Sequence, residues 1–310
     1  SPVLGRVASA GGPGGGHEAG GGVSSRRAAP EYLVVGHITR DVTPAAPEGF
    51  VYGGTALFAA LTASHLGHRA AILTRCAPEP GLAAHVQGLD LHQVPAEVTT
   101  TFENVYGPSG RVQYVRAAAP PIPAAAIPPP WLRAPLVHLG PVAQEVPPEL
   151  VEAFPEAAMV GATMQGWLRA WPGDGRVRNA PWPEAERVLS RVDALIFSPE
   201  DVEQDASLIR YYAGLARLAV VTEARNGCTV WHEGRQVRYP PFEAQEVDPT
   251  GAGDVFAAAF FLRYTESRDV DAAARYANCA ASFAVEGRGT AALPDAAAVE
   301  QRLRTGRLLG

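Results

Sequence analysis

Residues 247–260 read VDPTGAGDVFAAAF, and the fold of the rest of the chain follows from how this stretch is understood. Gly251, Ala252 and Gly253 carry almost no side chain, so a phosphate can approach the backbone closely there. The small and aromatic residues that follow predict a helix beginning at about Ala252. A helix start presents unpaired N–H groups and the positive end of the dipole, and so stabilises an anion without any lysine. Asp254 falls in the first turn of that helix. Beside a bound phosphate, its carboxylate can take the proton of an alcohol as that alcohol attacks a γ-phosphate. The same residues also read as a plain turn followed by a dipole-matched acid, and the physics alone leaves both readings open.

Upstream, YLVVGH from Tyr32 reads as a buried strand and TRDVTPAAPEG as a polar loop. Gly53 and Gly54 then open TALFAALTASHLG, a helix closed by Gly67, and RAAILTRC is the next strand. Strand, glycine turn, helix and strand in that order imply parallel pairing through a crossover. PLVHLG, AAMVGATM, DALIFS and RLAVVTEA read as four more buried strands, with helical stretches such as PWPEAERVLSRV and SLIRYYAGLA among them. EVTTTFENVY and GRVQYVRA, on either side of Gly107, Pro108, Ser109 and Gly110, predict a projecting hairpin. AAAPPIPAAAIPPP reads as a stiff, extended connector. CTVWHEG and RQVRYP predict a second hairpin, and the C-terminal portion is mostly helical. The expected architecture is an α/β/α sandwich with a small β-lid made from residues near 41–52 and 97–117.

The chain has 310 residues, 47% of them hydrophobic, and a formal net charge of -6. That is enough for one large cored domain, expected over 31–310. The acidic balance gives no electrostatic case for nucleic acid, and no run is apolar enough to span a bilayer. Cys76, Cys228 and Cys279 are dispersed without a CxxC pair. They fit a reducing, cytoplasmic setting without disulfides or a zinc site. Residues 1–30, rich in Gly, Ser and Ala, bury too little to offset their ordering entropy and are expected to be a disordered tail. The arginines, serines and single acid (Glu18) of that segment also fit a transit peptide. GGPGGG in the tail is no dinucleotide fingerprint, because no strand precedes it. No GxxxxGK[ST] occurs, and His65 and His68 have no third ligand nearby.

DPTGAGD resembles the D-T-x-G-A-G-D signature of the ribokinase/PfkB family, and the resemblance extends over nearly everything after residue 31. It implies a ribokinase-like three-layer sandwich with a lid and an ATP-dependent kinase of a sugar, polyol or nucleoside hydroxyl. Asp254 would be the catalytic base, with the amides of Gly251, Ala252 and Gly253 as the anion hole. VVGHITRD resembles the strand that ends in a substrate-contacting acid, here Asp41, although Asp41 also reads as a turn residue. GGTALF resembles the helix start at which Gly53 and Gly54 meet substrate hydroxyls. Two departures follow. Thr39 and Phe58 stand at substrate positions where family members often carry Asn, and Phe58 would form an apolar wall, which argues against ribose.

SPED resembles the N-x-x-E motif with Ser198 and Asp201 in place of Asn and Glu. Ser198 would serve the nucleotide phosphates, and Asp201 and Glu200 would serve Mg²⁺ through water. Ser198 equally reads as an N-cap with acids in the first turn. VVTEARNG resembles the nucleotide loop through Thr222 and Gly227, with Ala224 replacing a glycine. Asn278 falls at a nucleotide-contacting position. Asp248, Thr250 and Gly289 align with a monovalent-cation site, for which K⁺ is the candidate ion. In ATMQGWLR, Arg169 reads more simply as a surface arginine than as a phosphate contact. GGTALF and SPED point to the inositol-kinase-like branch, so a cyclitol is a candidate substrate. A nucleoside kinase of the same fold and a catalytically idle metabolite sensor are the alternatives. Pairing of lid strands between subunits makes a homodimer the candidate assembly.

Overall fold

The computed structural model describes residues 28–107 and 110–309. The expected tail up to residue 27, and Pro108 and Ser109 of the expected hairpin turn, lie outside them. In chain order the first strands are β1 (Tyr32–Val35), β2 (Thr39–Val42), β3 (Phe50–Gly53), β4 (Ala70–Cys76), β5 (Asp90–Pro95), β6 (Thr101–Gly107) and β7 (Gly110–Ala117). They are followed by β8 (Leu136–Leu139), β9 (Met159–Thr163), β10 (Arg169–Ala170), β11 (Arg178–Asn179), β12 (Ala194–Phe197), β13 (Leu218–Thr222), β14 (Cys228–His232) and β15 (Arg235–Tyr239). The helices are α1 (Thr55–His65), α2 (Pro148–Glu152), α3 (Ala185–Leu189), α4 (Ala206–Leu215), α5 (Ala252–Ser267), α6 (Val270–Ala284) and α7 (Ala296–Thr305).

Among the described residues the main sheet has the order β15-β14-β13-β12-β9-β8-β1-β4-β5. It is parallel from β13 to β5 and antiparallel across β14 and β15. A parallel sheet is buried on both faces, so its strands read as continuous apolar runs rather than alternating ones. Tyr32 and Val34 of β1 point into a core with α1, α5, α6 and α7. Leu33 and Val35 point into a second core with α2, α3 and α4. These are the three layers of a ribokinase-like α/β/α sandwich.

The orientation of α5 is fixed by a glycine. A β-carbon on Gly161 of β9 would stand 2.6 Å from the ring of Phe261, so the ring sinks onto the sheet only because that strand position is bare. Phe261 is fully buried, and its truncation to alanine costs about 3–5 kcal/mol at such a site. The helix start, with Asp254, is thereby carried to the C-terminal edge of the parallel strands, the edge at which α/β folds bind ligands.

The lid is a second sheet with the order β3-β2-β6-β7. Its inner side is pinned by Glu79, which accepts hydrogen bonds from Arg40 (2.7 Å) of β2, Tyr52 (2.9 Å) of β3 and the hydroxyl of Thr99. The outer edge of β7 is covered by the chain itself. Val115 N–H donates to the Gly175 carbonyl (2.8 Å) and Val177 N–H to the Gln113 carbonyl (2.9 Å). Three elements differ from expectation. The connector after β7 contains 3-10 turns at Ala124–Ala126 and Pro129–Arg133, and the helix expected from PWPEAERVLSRV is only the short α3. The edge strand β5 had no sequence signal, since its residues are half-exposed and polar ones interrupt it. No helix among the described residues is long and apolar enough to cross a membrane.

Candidate active site

Two helix starts meet at the site. Gly54 (φ 92°) precedes α1 and Gly251 (φ 80°) precedes α5, both at a positive φ that glycine adopts freely. Asp254 lies in the first turn of α5 and accepts a hydrogen bond from the hydroxyl of Thr55, the first residue of α1. Burial pushes the Asp254 carboxyl up to about 6. The Thr55 bond and the charge of Arg169 oppose that rise, and the charges of Asp201 and Asp41 add to it. Desolvation combined with a specific set of charged partners marks Asp254 as a candidate acid–base group.

Asp41 reaches the site from the lid. Thr39 Oγ1 donates to its Oδ1 at 3.1 Å, and a β-carbon on Gly53 would stand 2.2 Å from its Oδ2. Gly53 is therefore what lets the carboxylate fold back against β3, and Thr39, 1% exposed, supports Asp41 from behind. Burial raises the Asp41 carboxyl, opposed by the Thr39 bond and by Arg169. Asp201 completes the group. Its Oδ2 accepts from Ser198 N–H (2.8 Å) and Ser198 Oγ (3.1 Å), a capping box at the start of the short helix Pro199–Val202. The N-cap reading of Ser198 therefore holds, and the same capping turns Asp201 toward Arg169, whose charge opposes the burial that raises its carboxyl.

Arg169 is the residue that sequence reasoning undervalued. It is half-buried, not a surface arginine. Its Nη1 donates to the Val142 carbonyl (3.0 Å), and its guanidinium lies 5.3 Å from the ring centre of Phe102 on lid strand β6. Its charge acts on Asp41, Asp201 and Asp254 alike. Nothing in the sequence joins these four residues. They come from two strands, β2 and β10, from the short helix after β12 and from the start of α5, and Thr55 gave no signal beyond following two glycines.

Other expected residues are placed differently. The Ala252 N–H donates to the Pro249 carbonyl (3.1 Å), so this amide is withdrawn from the anion hole. The first-turn amides of Gly253 and Asp254 remain the ones a helix start leaves without an intrahelical acceptor. A β-carbon on Gly253 would meet nothing within 4 Å, so the space in front of it is open. Phe58 is 7% exposed and its ring lies under Gly251, so it braces the turn instead of forming an open wall. Glu200 is exposed and apart from the acidic group.

Two of the residues expected at the nucleotide, Asn278 and Gly227, serve the hairpin of β14 and β15. Asn278 is 6% exposed, and its Nδ2 donates to the carbonyls of Tyr239 and Pro240, both at 3.1 Å. A β-carbon on Gly227 (φ 85°) would stand 2.1 Å from the Tyr239 carbonyl oxygen, so glycine is needed there for packing. Thr222 Oγ1 donates to the Phe197 carbonyl (3.3 Å). Asp248 Oδ1 accepts the Thr250 N–H (2.9 Å), and the Asp248 backbone bonds Val285 at the end of α6, just before the loop that carries Gly289.

Residues 183–296 match the model of the pfkB family carbohydrate kinase. The chain is similar to an inositol 3-kinase of Arabidopsis thaliana, 32% identical over 154 residues, 47% of this chain and 41% of that one. It is equally similar to an inositol 3-kinase of Zea mays, 32% identical over 173 residues, 53% and 43% of the two chains. The chain thus spans less than half the length of these curated relatives. Its fold resembles a pyrophosphate-dependent kinase in the ribokinase family complexed with a pyrophosphate analog and myo-inositol. The TM-score is 0.72 at 21% identity, over 87% of this chain and 99% of that one. The three-layer sandwich, the lid and the family match over the helix that carries Asp254 together make the chain similar to kinases of the ribokinase/PfkB family, the inositol 3-kinases among them.

Proposed function

We propose that this protein transfers the γ-phosphoryl group of ATP to a hydroxyl of an uncharged polyol, with a cyclitol of the inositol type as the foremost acceptor. The observation that carries the reading is the place of Asp254, in the first turn of α5 beside the open space at Gly253 and within electrostatic reach of the lid's Asp41 and of Arg169. Asp41 holds an acceptor hydroxyl. Asp254 takes the proton of the hydroxyl that attacks, and the O–P bond forms as the bond to ADP breaks. The amides of Gly253 and Asp254 and the guanidinium of Arg169 meet the charge on the transferring group, a stabilisation of several kcal/mol in comparable sites. Asp41, on the acceptor's side, would repel an acceptor that places its own phosphate or carboxylate beside it.

No cluster of three or more His, Cys, Asp or Glu side chains among the described residues could hold a metal on its own. That fits Mg²⁺ carried by the donor's phosphate oxygens and water, with Asp201 facing the water shell. Bound there, the ion would neutralise phosphate charge. Asp248, Thr250 and Gly289 would hold a monovalent cation such as K⁺, and Glu200 would stand at the outer water of the Mg²⁺ shell.

A second reading concerns the donor. Asn278 is bonded to the hairpin, Gly227 is packed against it and Thr222 is bonded to Phe197 of β12, so each has a structural partner already, and the structural relative named above is pyrophosphate-dependent. The test is a donor-consumption assay with ATP and with pyrophosphate, in Na⁺ and in K⁺, over inositols, sugars, sugar phosphates and nucleosides. Turnover of an uncharged polyol supports the proposal. Consumption with nucleosides alone, or with no acceptor at all, would leave the nucleoside-kinase or the sensor reading in its place. A homodimer through the lid would use the β3 edge, where Val51 is exposed, since β7 is covered.

A further inference from the structure

The lid is joined to the core by four chain crossings, and one buried histidine touches all of them. His37 is fully buried and is itself the first crossing, between β1 and β2. Its carbonyl oxygen lies against the second, since a β-carbon on Gly54 would stand 2.5 Å from it. Its ring Nδ1 lies 2.8 Å from Oγ1 of Thr100, on the third crossing, just before β6. Its Nε2 lies 3.2 Å from the carbonyl of Pro120, on the fourth, just after β7.

With a neutral ring the donors and acceptors in this group allow one assignment. A carbonyl only accepts, so Nε2 carries the ring proton and donates to Pro120. Nδ1 then accepts from the Thr100 hydroxyl, whose oxygen accepts the Ala119 N–H at 3.0 Å. The chain Ala119 to Thr100 to His37 to Pro120 is complete in a neutral ring. Burial lowers the ring's proton affinity, opposed by Glu145 and helped by Arg75, in keeping with that form.

The core side is equally fixed. His37 N–H donates to Oε1 of the fully buried Glu145 at 2.8 Å. Glu145 also accepts the N–H groups of Val142 (3.0 Å) and Ala143 (2.7 Å). Val142 in turn gives its carbonyl to Arg169. One connected set of hydrogen bonds therefore runs from the lid crossings through His37 to the arginine of the site.

We propose that His37 is a positioning residue that sets the angle of the lid on the core and so the separation of Asp41 from Asp254. The proposal rests on the kinase reading in one respect: an acceptor held by the lid's carboxylate must bring its hydroxyl to the base on α5. A rigid polyol cannot adjust to a displaced pair, and a misplacement of about 1 Å in such a geometry can cost about 100-fold in rate.

The test compares His37→Ala with His37→Asn, which keeps an oxygen near the Nδ1 position for Thr100 but loses Pro120. His37→Ala should lower kcat by roughly 10- to 100-fold. It should also raise the acceptor KM while leaving the donor KM unmoved, and His37→Asn should recover part of the loss. If His37→Ala does not fold, Thr100→Val removes the same link from the lid side and is read in the same way. Wild-type activity on the polyol panel judges the kinase reading separately. Should it fail, amide hydrogen exchange decides the His37 assignment: faster exchange in β2, β6 and β7 of the variant, with β8 and β9 unchanged, supports it. Unaltered lid exchange, or donor and acceptor KM moving together, would overturn it.

Discussion

The ring of Phe58 lies so close beneath Gly251 that a β-carbon built on the glycine would stand 2.4 Å from both Cδ1 and Cε1. Helix α1 thus braces the turn that starts α5, and the turn can bring its amides forward only while position 251 is bare. Gly251→Ala meets this wall and a φ of 80° together, and should cost about 1–3 kcal/mol of stability along with activity. Gly253→Ala is the contrasting variant, with nothing within 4 Å of its methyl group. It should keep or slightly raise the melting temperature, since alanine outranks glycine in a helix by up to about 1 kcal/mol. Its turnover should nonetheless fall, because the methyl group stands where the phosphate is proposed to approach. Melting curves and kcat for the two variants check the pair.

The pH dependence of turnover should follow Asp254. The proposed base would work ionised, so activity should be present above about 6 and be lost as pH falls through that value. Arg169 favours the ionised form, so Arg169→Gln should move this limb to higher pH. Asp201 disfavours it, so Asp201→Asn should move the limb to lower pH. A pH profile of kcat/KM on the three proteins measures the shifts.

Stability should run the other way. The folded protein holds Asp254 at about 6 against an ordinary 3.8, so the fold favours its protonated form. Below the ordinary value the group costs nothing. As pH rises through both values, the buried charge costs up to about 3 kcal/mol. Asp254→Asn should therefore melt higher than wild type near pH 8 and together with it near pH 4. Thermal melts at the two pH values give the comparison.

Asn278→Ala distinguishes a structural amide from a donor contact. Removing the amide leaves the Tyr239 and Pro240 carbonyls without their donor, a loss of about 1–3 kcal/mol. The donor KM should stay at its wild-type value while the melting temperature falls.

The layers and the position of the site were legible because they depend on local signals. YLVV and LVHL are apolar on both faces, as a parallel strand must be, and glycine before a helix marks a backbone turn whatever surrounds it. Asp254 was legible for the same reason, since a first-turn acid is defined by its own helix. Asn278 and Gly227 were not. Their types suit a ligand contact and a packed hairpin equally, and the approach of the Tyr239 carbonyl, which gives them their structural role, is set by residues remote in sequence. Arg169 and His37 were illegible because their roles are set by residues remote in sequence, such as Asp41, Asp254, Thr100 and Pro120.

Turnover of Asp254→Asn measures the proposed base most directly. The account predicts a fall in kcat of roughly 100- to 10,000-fold, with calorimetric binding of donor and polyol retained in a protein that is folded at neutral pH. A variant that turns over at a rate close to wild type would mean that another group takes the proton, and the assignment of the site would be wrong.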